Sequence, residues 1–451
     1  AAPSGDKVHD PGCASGHCVP QTWAIEAALR RTEEQLSAAD AVTAVLRDNL
    51  HGLEIDGRCV QIAAFAVALS AWGIGGWQIL PVPHIAWVGA SPPLPKREFL
   101  ALADGDTELE YALAALHDLF AQAPLLGTLL EPSGSDLFEA EKMGQIERLL
   151  DPLIKKARRA EPEQAEGVIA ARGMADATML LHRRFVLQIT NVPFLGYREM
   201  SAQLVEHVQR RFPETKGDLG YSMWDRCYRL SCTGGTIALI SLQHWLSLVS
   251  YESFRRRVLS SKELNMLSHL GSGAFETISG EKVNVTLTIS TQRKPIDKVS
   301  TALLDCSEVV TASAKAIALR QAPINEIYQH KQLDNTSATI VFRELGSGVP
   351  LQRVADSLAG IMNGDTPRFV FNFWEPRRIK PEWAFLQSTT QGGPFSGGFY
   401  KIVRYDEEHG HLREERSIRR GRLHDSDQRG NSVWGQQGVP VNQMYDLSVN
   451  D

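Results

Sequence analysis

Lys7-Val-His-Asp-Pro-Gly-Cys-Ala-Ser-Gly-His17 opens the chain with a short extended run that breaks into a turn of small residues. A helical pattern follows over residues 21–38, with Leu29 and Leu36 among its apolar positions. A second strand-like run, residues 50–55, contains Gly52-Leu-Glu-Ile-Asp56 at its end, and another apolar helical pattern covers 60–72. Strand, helix, strand, helix is the start of a parallel sheet covered by helices. The small residues after Asp10 let the backbone pass close to a ligand, and the helix start behind them offers free N–H groups. A merely tight connection has the same composition. The lysine of a triphosphate-binding loop is absent.

Farther out, Glu54 stands at the end of the second strand, where a carboxylate can accept two hydrogen bonds from a ribose diol. Its distance from Gly16 exceeds the roughly 20 residues of dinucleotide-binding folds, so a dehydrogenase fits poorly. A solvated acidic strand end is the plainer alternative. Residues 92–177 are rich in Ala, Leu, Glu and charge at helical spacing, with breaks at Pro124, Pro132 and Pro162. They read as a helical insertion, or in part as core. The α/β pattern resumes with a β-rich run at 185–190, helices at 201–212 and 219–230, a turn at Thr233-Gly-Gly235 and a strand at 236–241. A basic helix at 251–259 precedes a hairpin-like region with Gly271-Ser-Gly-Ala-Phe275 and an alternating strand at 283–290.

Asn191-Val-Pro-Phe194 directly follows the run at 185–190. An aromatic amino nitrogen is a poor nucleophile because its lone pair is delocalised into the ring. Two carbonyl acceptors aimed at its hydrogens would draw it toward a tetrahedral, more nucleophilic state. The side-chain oxygen of Asn191 can be one acceptor and the backbone carbonyl of Val192 the other. Pro193 stiffens the turn, and Phe194 offers a stacking face to a base taken out of the double helix. A plain strand-ending turn would look the same locally.

Taken in order, these motifs resemble the gamma class of N6-adenine DNA methyltransferases, and more closely the large enzymes of type IIG restriction–modification and of BREX and DISARM phage defence. The resemblance runs on through Thr233-Gly-Gly-Thr236 and Gly271–Phe275, and more weakly through Gly364-Asp-Thr-Pro-Arg-Phe369 and Trp434-Gly-Gln-Gln-Gly438. It implies a Rossmann-like α/β methyltransferase sheet of seven strands that binds S-adenosylmethionine. Asp10, Ala14 and Gly16 would line the methionine part, and Glu54 the ribose. Asn191, Val192, Pro193 and Phe194 would be catalytic, with Phe194 and Phe275 stacking on the target base. The domains implied are a methyltransferase domain at 1–291 with its helical insertion, a connector at 292–344 and a partial target-recognition domain at 345–451.

This sequence departs from the family pattern in three ways. Val192 stands where proline is usual, though the needed acceptor is a backbone carbonyl that valine keeps. Ile85-Ala-Trp-Val-Gly89 supplies no carboxylate after the third strand. Only nine residues precede Asp10, so an upstream helix and cofactor-covering motif are missing, which reads as a fragment or truncated product. Methylation of RNA or of a protein glutamine, and an inactive DNA-binding remnant, are the alternatives.

Composition sets the outer bounds. The 451 residues are 43% hydrophobic and 22% charged, the balance of a globular protein of two or three domains. The longest apolar stretch, 59–72, is interrupted by Gln61 and Ser70, and no run approaches the roughly 18 residues of a membrane span. The net charge of −6 neither favours nor excludes DNA, because only the face on the phosphates must be basic. Candidate phosphate contacts are Arg255-Arg-Arg257, Arg377-Arg-Ile-Lys380 and the run Arg416–Arg422. The six cysteines are scattered, which fits a reducing cytoplasm. Cys13, His17 and Cys18 lack the second ligand pair of a zinc site, so no metal is expected. Double-stranded DNA is the implied partner, together with other subunits of a restriction or phage-defence system, and no membrane.

Overall fold

The computed structural model describes residues 5, 7–14, 16, 19–132, 162–276, 283–296, 299–342, 355, 366–381, 383–386 and 400–404. Residues 1–347 form one compact unit and 348–451 another.

The first unit is built on a nine-stranded sheet. Its strands are β1 (Val8–Asp10), β2 (Leu50–Glu54), β3 (His84–Trp87), β4 (Phe185–Asn191), β5 (Ser231–Leu242), β6 (Glu263–Gly271), β7 (Val285–Thr291), β8 (Ser300–Asp305) and β9 (Asn325–Tyr328). They lie in the order β3-β2-β1-β4-β5-β7-β6-β8-β9. β3, β2, β1, β4 and β5 run parallel, and β7 is antiparallel to both of its neighbours. The winding reverses between β1 and β4, and crevices at such switch points, outside the carboxyl ends of the strands, are where open α/β sheets bind ligands.

Alternation along the strands assigns the two faces. Val8, Leu50, Ile85 and Leu187 meet α1 (Val19–Glu33), α2 (Ala38–Asp48) and α3 (Gly57–Gly75) through Trp23, Val42, Val45, Ala63 and Val67. Leu53, Ala86 and Val88 instead face a core shared with α4 (Lys96–Ala101), α5 (Thr107–Phe120), α6 (Ala123–Leu126), α7 (Pro162–His182) and α8 (Ala202–Arg211). The described helices α4 to α7 of the segment first read as an insertion therefore help to cover the sheet, and α7 packs on β2 and β3. Under the other half, α9 (Leu219–Leu230) and α10 (Glu252–Ser261) bring Trp224 and Phe254 against Trp245 and the apolar side chains of β5, β6 and β8.

Four expectations change. The single helix at 21–38 is two helices: Gln35 takes a positive φ, and Ser37 caps α2 by accepting from the Asp40 backbone N–H at 3.1 Å. Thr233-Gly-Gly235 is no turn ahead of a strand but an irregularity inside β5. There the β4 ladder jumps from Phe185–Ser231 to Leu187–Thr236, and a Cβ on Gly235 would lie 2.7 Å from the Phe185 carbonyl oxygen. Residues 292–344 are not a mere connector, because they supply β8, β9 and α11 (Ala312–Gln321) and enlarge the expected seven-stranded sheet to nine. Finally, α3 is long and apolar enough to cross a membrane by length and composition. Its Ala63, Val67 and Ala71 are nevertheless buried in the sheet-covering layer, while Ile62, Phe65 and Leu69 are exposed.

The second unit holds α12 (Thr366–Phe369) and a three-stranded antiparallel sheet, β10 (Val370–Asn372), β12 (Lys401–Arg404) and β11 (Trp383–Leu386), in that spatial order. The run Arg416–Arg422 and Trp434–Gly438 lie outside the described residues.

Candidate functional site

Two strand ends meet at the switch point. β1 delivers Asp10, and β4, hydrogen-bonded beside it, delivers Asn191. Asp10 is buried, and its carboxylate accepts from the Gly12 backbone N–H at 3.2 Å. Burial pushes its pKa up to about 7. The nearby Thr190 hydroxyl and the Gly12 N–H pull the other way, and the neighbouring Glu54 adds to the rise.

The turn after Asp10 is fixed by special backbone geometry. Ala14 has φ 45° and Gly16 has φ 88°. A Cβ on Gly16 would lie 3.1 Å from Ala63 of α3, so glycine is needed there for closeness as well as for conformation. Glu54, at the end of β2, faces this turn. Its Oε2 accepts from the Ala14 backbone N–H at 2.6 Å and its Oε1 from the Asp56 backbone N–H at 3.0 Å. Asp10, Ala14, Gly16 and Glu54 are thus gathered at one place, with the carboxylate of Glu54 holding the turn. Ser15, His17 and Cys18 lie outside the described residues.

Sequence reading missed one support of this turn. The Thr128 hydroxyl donates to the Pro11 carbonyl at 2.5 Å, across 117 residues. No local pattern could have announced a contact of that range.

Asn191 is exposed at the end of β4, and its carboxamide makes no hydrogen bond among the described residues. Val192, in contrast, is buried in the sheet-covering core. The chain beyond them is held by the loop before α9. The Leu219 N–H donates to the Leu195 carbonyl at 2.9 Å, the Tyr197 N–H to the Gly217 carbonyl at 3.0 Å, and Asp218 caps α9 by accepting from Gly220 at 2.8 Å. A Cβ on Gly220 would lie 3.1 Å from the Pro193 carbonyl oxygen and from Val192, so helix and tetrapeptide are in close contact. Phe194 packs partly into this core and partly toward Phe275, with ring centroids 6.5 Å apart and planes inclined by 59°. The structure therefore brings together both aromatic residues singled out from the sequence.

The first basic cluster is another matter. Arg255 is fully buried and donates to the carbonyls of Trp245, Leu248, Ser337 and Ala338. Arg256 pairs with Glu252, and Arg257 with Glu214 and Asp225. Arg255 is a core residue, not a phosphate contact. Arg377 and Arg378 are exposed in the second unit.

The sequence matches the Eco57I restriction-modification methylase family over residues 48–275, which takes in Glu54, the tetrapeptide and Phe275. It is 27% identical over 307 residues to the adenine-specific methyltransferase BrxX of Escherichia coli O9:H4 (strain HS), covering 63% of this chain and 25% of that protein. It is 25% identical over 333 residues to the adenine-specific methyltransferase PglX of Lacticaseibacillus casei (strain Zhang), covering 72% of this chain and 27% of that one. The chain thus spans about a quarter of the length of these relatives. Among solved structures, the type IIL restriction-modification enzyme MmeI in complex with DNA overlaps 92% of this chain and 47% of its own, at 11% identity and a TM-score of 0.47. With just over half of its length inside the family's bounds, the chain belongs to the Eco57I restriction-modification methylases.

Proposed function

We propose that this chain carries the core of a DNA methyltransferase that transfers a methyl group from S-adenosylmethionine to N6 of adenine, in restriction–modification or phage defence. The observation that carries the reading is Asn191. Its carboxamide stands exposed and, among the described residues, without a hydrogen-bond partner at the end of β4, one strand from the turn that Glu54 and Asp10 enclose.

The residues fit such a methyl donor. Two buried carboxylates at one switch point suit an ammonium and a ribose diol, and the conformation and closeness of Gly16 keep the turn narrow. Glu54 would hold the ribose, while Asp10, Ala14 and Gly16 would lie along the methionine part. S-adenosylmethionine, when bound, supplies an electrophilic sulfonium methyl. Adenine, extruded from the duplex at a cost of a few kcal/mol, would stack on Phe194 with Phe275 at its other side. The Asn191 side-chain oxygen and the Val192 carbonyl would accept its two amino hydrogens and free the nitrogen lone pair. Catalysis is then positioning plus fixed dipoles, and no protein nucleophile is needed. Duplex DNA is the partner, with further subunits of the defence system, in the cytoplasm.

The test is transfer of labelled methyl from S-adenosylmethionine to unmethylated duplex DNA, to RNA and to protein. Label in N6-methyladenine of DNA supports the reading. Label confined to RNA or protein, or none at all, overturns it. Asn191→Ala is expected to cut transfer by at least about 100-fold, the cost of losing one preorganised polar contact in a transition state, while cofactor affinity stays within about twofold. Unchanged transfer would remove Asn191 from the chemistry.

A further inference from the structure

Lys315 lies in the segment first read as a connector, yet its side chain is buried, with 2% exposure. Its ammonium donates to the carbonyls of Leu270, at the end of β6, and of Cys306, just past β8, the latter at 3.0 Å. These two strands run side by side, with His269 opposite Asp305, and the Cys306 N–H donates to the His269 carbonyl at 2.8 Å. Lys315 therefore ties their carboxyl ends together at the point where the ladder stops. From the end of β6 springs the loop Gly271–Phe275.

Two glycines seat that loop on the chain after β8. Gly271 has φ 64°, and a Cβ there would lie 3.2 Å from Ser307; Gly273 has φ 73°, and a Cβ there would lie 2.1 Å from the Val310 carbonyl oxygen. Below the loop, Leu270, Val285 and Cys306 form a small core on which Phe194, Phe275, Ala318 and Leu319 of α11, and Ala322 just past it, all pack. One helix thus carries both the ammonium tie and the apolar floor beneath the two aromatic rings.

We propose that Lys315 is a positioning residue for capture of the target base, acting through the loop that presents Phe275 toward Phe194. The proposal rests on the reading of Phe194 and Phe275 as the faces that hold adenine. A buried ammonium satisfied by carbonyls is costly to replace, since its loss takes a charged donor from both acceptors, and the Cys306 carbonyl is left with the longer bond from the Val309 N–H at 3.3 Å. Methionine keeps the apolar stem and removes only the donor, so Lys315→Met releases the loop and leaves the Asp10 turn untouched.

The experiment compares the full chain with Lys315→Met, Phe275→Ala and the double variant in methyl transfer to unmethylated genomic DNA, alongside cofactor binding by calorimetry. Each single variant is expected to raise the KM for DNA about tenfold at unchanged cofactor affinity, and the double variant no further, because residues acting through one another are not additive. Losses that multiply in the double variant, or an unchanged KM in Lys315→Met, overturn the proposal. Hydrogen exchange of residues 271–275 supplies a readout independent of activity. It is expected to speed up in Lys315→Met while that of residues 10–16 does not, and equal exchange refutes the tie. If the unaltered chain methylates no DNA, the functional reading has failed, and the exchange measurement alone decides whether Lys315 anchors the loop. Should Lys315→Met not fold, Lys315→Leu, which also lacks the donor, is read in the same way.

Discussion

Asp10 is a carboxyl group whose pKa burial has lifted to about 7, in the range where the protein works. Its ionised form is the one that accepts hydrogen bonds from a ligand's ammonium, so ligand binding should release a proton at neutral pH and strengthen as pH rises. Between pH 6 and 8 the affinity for S-adenosylhomocysteine is expected to rise about tenfold through Asp10 alone. Calorimetric titrations at the two pH values check this, with Asp10→Asn as the reference. An equal slope in that variant would assign the dependence to another group. Glu54 works differently, because it already accepts two backbone N–H donors. Glu54→Ala should therefore loosen the turn as well as remove the proposed ribose acceptor, and weaken cofactor binding by at least about tenfold, the loss of one to two charged hydrogen bonds. Unaltered affinity would exclude Glu54 from the site. At this scale the sequence was informative, since strand-end residues announce themselves by what precedes them. Asp10, Glu54 and Asn191 all stand at the close of a legible strand. Thr128 and Lys315 were illegible because their partners are remote in the chain and the bond is to backbone, which any residue type provides.

Elements were legible where their period was long and clean, as in α9, and illegible where the signal was short. α2 is announced only by the cap at Ser37, and β8 and β9 sit in a stretch whose weak patterning hid their place at the sheet edge. One feature of the sheet is visible only after pairing. His84, His51, His9 and Gln188 stand in register across β3, β2, β1 and β4. His9 stacks on Phe185 with centroids 4.0 Å apart. His51 must be neutral with its proton on Nδ1, because Nε2 accepts from Arg183 at 2.6 Å while Nδ1 faces the Asn49 carbonyl at 2.8 Å. Burial, aided for both rings by neighbouring arginines, lowers the pKa of each to about 3. The unfolded chain, with ordinary histidines near 6.5, then binds protons that the folded sheet refuses. Stability is intact above pH 6.5 and falls as the pH drops from there toward 3. From pH 6.5 to 5 the loss is about 2 kcal/mol per histidine. Urea unfolding at pH 7 and pH 5 measures it, and His9→Gln should remove about half of the acid sensitivity, since one of two such groups is gone. A variant as acid-sensitive as the original would place the titration elsewhere.

For the whole molecule, a net charge of −6 does not say which face would meet the proposed DNA partner, and neither does a run of arginines in the sequence. Two such runs resemble each other in composition and differ entirely in situation. Arg255 is buried with its guanidinium spent on four carbonyls, and it joins the start of α10 to the segment at 337–338, so it binds the part of the chain beyond the sheet to the sheet's own helices. Arg377 and Arg378 are exposed in a separate unit, next to the exposed rings of Phe373 and Trp374. Cations that touch phosphates release counterions, whereas buried ones do not. Arg255→Met is therefore expected to lower the unfolding free energy by about 3 kcal/mol or more, because four carbonyls lose a charged donor. The salt dependence of DNA binding should stay as it was. The pair of changes Arg377→Ala and Arg378→Ala should leave the unfolding midpoint in place and reduce the slope of log affinity against log salt by roughly 2. Denaturant titration and DNA binding at several salt concentrations, run on both variants, separate the two roles. A stable Arg255→Met that has lost DNA affinity would reverse the assignment and put α10 on the nucleic acid.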